Sequence, residues 1–173
     1  GGHLSPALSI IEKLKSEKKF SYELHYFGRK NALEGDKSLS LEYETLSNLK
    51  IPFYSITTGR LQRSFSIYTL FSVSKIPIGL LLSLYYLNKL KPDIVVSFGG
   101  YVALPVCLAA YILKIKIITN EQTPVLGLTN RIIARCGGVG CLSWPNTSQL
   151  PYKVNTIFTG LPIRKSILSG DGN

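Results

Sequence analysis

Three short stretches of this 173-residue chain gather side chains that can hold a polar ligand or move a proton. The first is Gly1-Gly2-His3, directly ahead of an apolar-periodic run. Glycines before a helix can present backbone N–H groups to a phosphate, and a structural turn fits them equally well. His3 stands at that helix start, where an imidazole can act as a general base or position a substrate hydroxyl. The second stretch is Gly99-Gly100-Tyr101, where the backbone can approach a ligand closely beside an aromatic hydroxyl. A plain strand-to-helix turn explains the same residues. The third is Glu121-Gln122, polar residues directly after an apolar run, where a core needs no carboxylate. Asn130, on the helix that follows, is placed to face them. His25 lies mid-strand and carries no assigned function. The sequence holds no metal-ligand spacing, Ser-His-Asp arrangement or P-loop, and no module of interleaved aromatic and basic residues that would bind nucleic acid.

The elements that must position these residues alternate. Strands are predicted at residues 22–27, 51–56, 93–98, 115–119, 139–143 and 155–159. Helices are predicted at 6–18, 37–48, 76–90, 102–113 and 126–135. Alternating strands and helices imply parallel βαβ units and a doubly wound α/β sheet. Such sheets bind ligands at the carboxyl ends of their strands. Gly28-Arg29-Lys30, Thr57 to Arg60, Gly99-Gly100-Tyr101, Asn120 to Thr123, and Gly160 with Arg164 nearby all fall there. A loop like Gly1-Gly2-His3 normally follows a first strand, so the fold is expected to be missing that strand at its N-terminal edge.

Bulk properties narrow the class. Hydrophobic residues make up 45% and charged residues 17%, which describes a globular chain and excludes a disordered one. The net charge of +10 suits a phosphate-bearing partner, and a solvated basic surface accounts for it equally well. Cys107, Cys136 and Cys141 lie in apolar surroundings without metal spacing and are expected to be buried free thiols. Residues 94–113 carry no charge over 20 positions, long enough to cross a bilayer. Gly99-Gly100 and Pro105 interrupt them, so a buried strand, a turn and a helix are expected instead. Residues 66–90 hold more apolar side chains than one helix face can bury, with Arg63, Lys75, Lys89 and Lys91 around them. Either a core helix or shallow docking on an anionic membrane accounts for this.

Taken together, these segments resemble MurG-type glycosyltransferases. Gly1-Gly2-His3 followed by Pro6-Ala7-Leu8 is similar to the end of their GGTGGH…P loop. Phe98-Gly99-Gly100-Tyr101-Val102 with Pro105 is similar to their GGYVSGP segment. Asn120-Glu121-Gln122-Thr123, running on to Gly127-Leu128-Thr129-Asn130, is similar to HEQN…GLTN. Gly160-Leu161-Pro162-Ile163-Arg164 is similar to GNPVR, and Glu42 stands at the spacing of a family glutamate. The likeness runs in order through essentially the whole chain.

The resemblance implies an α/β, Rossmann-like doubly wound parallel sheet forming the N-terminal half of a glycosyltransferase B fold. Residues 1–160 would be the acceptor- and membrane-side domain and residues 161–173 the start of an interdomain linker, with the C-terminal donor domain absent. The implied reaction is inverting, metal-independent transfer of GlcNAc from UDP-GlcNAc to lipid I (undecaprenyl-diphospho-MurNAc-pentapeptide), giving lipid II. The isolated chain is expected to be inactive. UDP-GlcNAc would be a donor substrate rather than a cofactor, held mainly by the missing half. The other implied partners are lipid I and the anionic cytoplasmic face of the inner membrane, with no nucleic acid. Under the resemblance His3 and Glu121 are the candidate catalytic residues. Gly1, Gly2, Tyr101, Gln122, Thr123, Asn130 and Arg164 are the candidate substrate-binding residues, Arg164 toward a donor phosphate. Asn120 replaces the family's usual His, Thr123 its Asn, Ala103-Leu104 its Ser-Gly, and Leu161 its Asn. These departures keep open a related transferase, or a membrane-anchoring subunit, acting on another lipid-linked or polysaccharide precursor.

Overall fold

The computed structural model describes residues 3–31, 38–57 and 76–164, together with 167 and 170. Gly1, Gly2 and residues 58–75, with Arg63 and Lys75 among them, lie outside the described residues.

Helix α1 spans Leu4–Ser16. Leu4, Ala7, Leu8 and Ile11 recur at three- and four-residue spacing and are buried, which sets its inner face. The helix starts two residues earlier than expected, with Pro6 inside its first turn. That position has no intrahelical acceptor for an N–H, so proline is tolerated there. Lys13 and Lys15 occupy the last turn, the favourable end for cations. Helix α2, Leu41–Asn48, begins at Ser40, whose Oγ accepts from the Tyr43 backbone N–H at 3.1 Å. Its first turn carries Glu42 and Glu44.

Strands β1 (Tyr26–Gly28) and β2 (Phe53–Ser55) pair in parallel, Tyr26 opposite Phe53. Both are shorter than expected. Pro52 lacks the N–H that would extend the ladder, and its carbonyl accepts from Tyr26 at the boundary. Helix α3 (Ile76–Leu90), β3 (Ile94–Ser97), helix α4 (Ala103–Ile112), β4 (Lys116–Glu121), helix α5 (Leu128–Arg135), β5 (Val139–Leu142) and β6 (Thr156–Phe158) follow. Strands β3 to β6 form a parallel sheet in sequence order. Among the described residues every ladder between named strands is parallel, as the alternating pattern requires, with one isolated antiparallel bridge between Asn31 and Leu39. Among the described residues the strands fall into two sheets, β1-β2 and β3 to β6, with no ladder joining them.

The uncharged stretch 94–113 is β3, a glycine turn and α4, and no described helix is long and apolar enough to cross a membrane. Helices α3 and α4 pack closely. Gly79, Ser83 and Leu87, four residues apart on α3, are buried. The small side chains at 79 and 83 admit α4, whose Ala109 and Ala110 are fully buried. The Ser83 hydroxyl donates to the Gly79 carbonyl at 2.6 Å, so its burial leaves no orphan donor. Two cores result. One joins Leu87, Val106, Cys107, Ala109, Ile117 and Ile133 across α3, α4, β4 and α5. The other joins Leu4, Leu8, Ile11, Leu46 and Ile51 beneath α1 and α2. Of the three thiols, all free, only Cys107 is buried as expected, and burial pushes its pKa up to about 12. Cys136 and Cys141 are half-buried: Cys136 caps the end of α5, and Cys141 lies on the less covered face of β5, alternating with buried Gly140 and Leu142.

Candidate functional site

The carboxyl end of β3 and the start of α1 meet. Gly99 and Gly100 both have left-handed backbone, φ +81° and +79°, a conformation L side chains rarely adopt. Space reinforces the requirement. A Cβ on Gly100 would lie 3.3 Å from the Cδ2 and Nε2 atoms of His3. A Cβ on Gly99 would lie 3.2 Å from Nδ2 of Asn130. The Gly99 N–H donates to Ser97 Oγ at 3.1 Å. The two-glycine turn therefore lies between the imidazole and the Asn130 amide. His3 is the N-cap of α1 and makes no side-chain cap bond there, so its exposed ring faces the turn and solvent.

Next in the chain, the Tyr101 hydroxyl accepts a hydrogen bond from the Arg29 guanidinium. The guanidinium carbon sits 5.7 Å from the Tyr101 ring centroid, in cation–π range. Arg29 also donates to the Asn31 carbonyl at 3.2 Å. This joins the tip of β1 to the turn after β3 and brings a permanent cation to the edge that holds His3. In the sequence Arg29 stands at a strand end with nothing nearby to mark it. Its partner lies 72 residues away, and no local spacing reveals that.

At the end of β4, Glu121 is buried and its carboxylate is fully engaged. Oε1 accepts from the Thr123 backbone N–H at 3.0 Å and from Thr123 Oγ1 at 2.8 Å. Oε2 accepts from the Gly127 N–H at 2.8 Å and from Asn130 Nδ2 at 3.0 Å. Gly127 is the N-cap of α5, so the carboxylate also lies at the positive end of that helix. Burial pushes the carboxyl pKa up, but the bonds from Gly127, Thr123 and Asn130 outweigh it and hold the group below its ordinary value. A carboxylate stabilised in this way is a poor proton acceptor. Its lone pairs serve four donors, and the carboxylate anchors the 121–130 loop.

Asn130 faces Glu121, as expected, and is buried. It is 4% exposed, its Oδ1 accepts from Thr119 Oγ1 at 2.7 Å, and its Nδ2 also donates to the Asn120 carbonyl at 3.2 Å. Thr123 is exposed, with its hydroxyl shared between Glu121 and the Val125 carbonyl at 2.8 Å. The Gln122 carbonyl accepts from Trp144 Nε1 at 3.0 Å, which ties the loop to residues after β5. Asn120 donates to the Cys141 carbonyl, while its Oδ1 and Ser143 Oγ are buried with no partner among the described residues.

Arg164 lies apart from these groups. Its Nε donates to Glu12 Oε1 at 3.1 Å, and Ser9 Oγ donates to the Ile163 carbonyl at 2.9 Å. Glu12 stands nine residues along α1 from His3, roughly 13 Å at the helical rise. In this structure the guanidinium serves as a strap between the chain's end and α1, away from the glycine turn. A recess of about 470 Å³, lined by Lys15, Phe20, Tyr22, Leu24, Lys50 and Pro52 among others, lies at the far end of α1 from His3. Among the described residues no group of three or more His, Cys, Asp or Glu could hold a metal ion.

Parallel strands with glycine turns at their carboxyl edge, beside a histidine-started helix, define a Rossmann-like ligand-binding domain. The chain belongs to glycosyltransferase family 28, whose N-terminal domain matches residues 1–137. It is 33% identical over 170 residues to a protein of Clostridium perfringens, covering 98% of this chain and 44% of that one. It is 36% identical over 175 residues to a protein of Borreliella burgdorferi, covering 99% of this chain and 45% of that one. Both relatives are named UDP-N-acetylglucosamine--N-acetylmuramyl-(pentapeptide) pyrophosphoryl-undecaprenol N-acetylglucosamine transferase. The crystal structure of Acinetobacter baumannii MurG superposes with a TM-score of 0.69 at 29% identity, covering 92% of this chain and 42% of that one. The chain thus spans less than half the length of the relatives it matches.

Proposed function

We propose that this domain forms the acceptor side of an inverting GlcNAc transferase. UDP-GlcNAc would be the donor and lipid I the acceptor, with lipid II and UDP as products. The observation that carries the reading is the His3 imidazole lying against the Gly99-Gly100 turn at the sheet's carboxyl edge, with Arg29 and Tyr101 beside it. In the proposed step the acceptor's C4 hydroxyl oxygen attacks C1 of the donor sugar. His3 takes the hydroxyl proton or orients the hydroxyl for its loss, and the C1–O bond to UDP breaks with its electron pair. Tyr101, Gln122 and Thr123 would line the acceptor cleft, and Gly1 and Gly2 would contribute backbone N–H groups. Arg164 would reach a donor phosphate only after leaving Glu12. No metal or other cofactor enters the proposal.

The same reading puts the domain peripherally on the cytoplasmic face of the membrane that holds its acceptor. The outer face of α3 supports it, since Ile78, Leu81 and Tyr85 are all exposed. A second reading, a related acceptor such as another lipid-linked or polysaccharide precursor, is favoured by Asn120 and Thr123. Both depart from the family pattern at the end of β4.

The test is an assay of the protein carrying this domain together with a donor half, using UDP-GlcNAc and lipid I. Lipid II formation that drops about 10²- to 10⁴-fold in His3→Ala supports the base role. Transfer to a different lipid-linked acceptor only would favour the second reading. Full activity of His3→Ala would refute the role given to the imidazole.

A further inference from the structure

Asn130 is buried, uses every polar atom of its side chain, and fills the space beside Gly99, in the turn whose Gly100 has the His3 ring beside it. We propose that Asn130 is a positioning residue for His3, acting through Gly99 and Gly100. The inference rests on the reading of His3 given above, and its physical basis is a row of neighbours from Asn130 through the two glycines to His3. The Asn130 amide is locked from behind by Thr119, the Asn120 carbonyl and Glu121, at 2.7 to 3.2 Å. In front of it lies Gly99, where a Cβ would meet the amide nitrogen at 3.2 Å and the amide oxygen at 3.3 Å. Beyond Gly99 lies Gly100, and against Gly100 lies the His3 ring, at 3.3 Å by the same measure. Two successive residues near φ +80° make the turn a single stiff unit. The imidazole has no cap bond of its own to fix it, so the turn is a wall that defines where the ring can sit. The amide fixes the wall's placement on the other side, with Ser97 Oγ holding the Gly99 N–H as a second tether.

The geometric link is read first, on this chain, by NMR of Asn130→Ala. The expected result is displaced resonances for the Gly99 and Gly100 amides and for the His3 ring protons. Ser83→Ala, which removes an equally buried hydroxyl from α3, should leave them in place. If Asn130→Ala does not fold, the near-isosteric Thr119→Val is used in its place, since it removes the bond to Asn130 Oδ1 and so loosens the amide while adding no charge. In the protein carrying this domain with its donor half, Asn130→Ala should lower kcat by about 10- to 100-fold, the size expected for ångström-scale misplacement. The KM for UDP-GlcNAc should stay within about twofold, and the histidine limb of the pH–rate profile should move. A folded variant whose turn and His3 resonances coincide with wild type overturns the proposal. So does an unchanged kcat with an unchanged pH profile. If the resonances move while His3→Ala keeps full activity, the positional link stands and the catalytic reading of His3 is the part that fails.

Discussion

At Glu121 four donors converge on one carboxylate, two from Thr123 and one each from Gly127 and Asn130. The carboxyl in the folded protein protonates at lower pH than in the unfolded chain. Its contribution to stability is therefore full above the ordinary glutamate range, near about 4.3, and is lost as pH falls through the folded value. Glu121→Gln replaces one acceptor oxygen with a donor that faces other donors. Urea unfolding should show the variant less stable at pH 7 by about 1–3 kcal/mol, and its stability should fall less on acidification than that of wild type. Equal stability at neutral pH would mean that the carboxylate does not hold the loop. That Glu121 is unusual was legible from a carboxylate following an apolar strand. Its saturation was not, because the count of donors depends on how residues 123, 127 and 130 fold back.

Among the elements, helix ends carry information that composition hides. At the end of α4 the Ile115 N–H donates to the Ala110 carbonyl at 2.9 Å and the Lys114 N–H to the Tyr111 carbonyl at 3.1 Å. This is a Schellman cap with Lys114 at φ +58°, where glycine is the usual residue. Lys50 closes α2 in the same way at φ +55°. Lys114→Gly relieves the strained backbone while loosening the unfolded chain. The expected net effect is a gain of about 0.5–1 kcal/mol, read as a raised thermal midpoint. A lowered midpoint would show that Lys114 makes contacts worth more than its strain. Helix and strand order was legible from periodicity throughout, while strand lengths in β1 and β2 were not, because Pro52 ends a ladder only once the partner strand is known. Helix α3 has a core face, and its opposite face is open, as the docking proposed above requires. The residues at 79, 83 and 87 are buried while Ile78, Leu81 and Tyr85 face out.

On the scale of the whole molecule, a net charge of +10 accompanies that outward apolar stripe. Exposed Lys89 lies on the same helix, and exposed Lys114 follows α4, whose end leaves Tyr111 and Ile112 uncovered. Cations attract anionic headgroups and the apolar side chains then partition into the interface. Leu81 is 67% exposed, so Leu81→Glu should leave folding intact while weakening flotation with anionic vesicles by about tenfold. Neutral vesicles should capture little of either form. Equal flotation of wild type and variant would move the docking surface elsewhere. The strap at Arg164 belongs to this scale too. With both partners about two-fifths exposed, the ion pair contributes at most about 1 kcal/mol, which makes it easily exchanged for another anion.

By itself the sequence determined the alternating parallel architecture, the edge where ligands would gather, and the family, since those depend on hydrophobic period, glycine placement and short motifs read along the chain. Only the tertiary structure decided which of those residues meet. His3 against Gly100, Arg29 on Tyr101 and Arg164 on Glu12 join segments far apart in the chain. The four donors around Glu121 and the burial of Asn130 come from packing for the same reason. A side chain's chemistry is set by the donors, acceptors and low-dielectric neighbours around it, and those are assembled by packing rather than by adjacency along the chain.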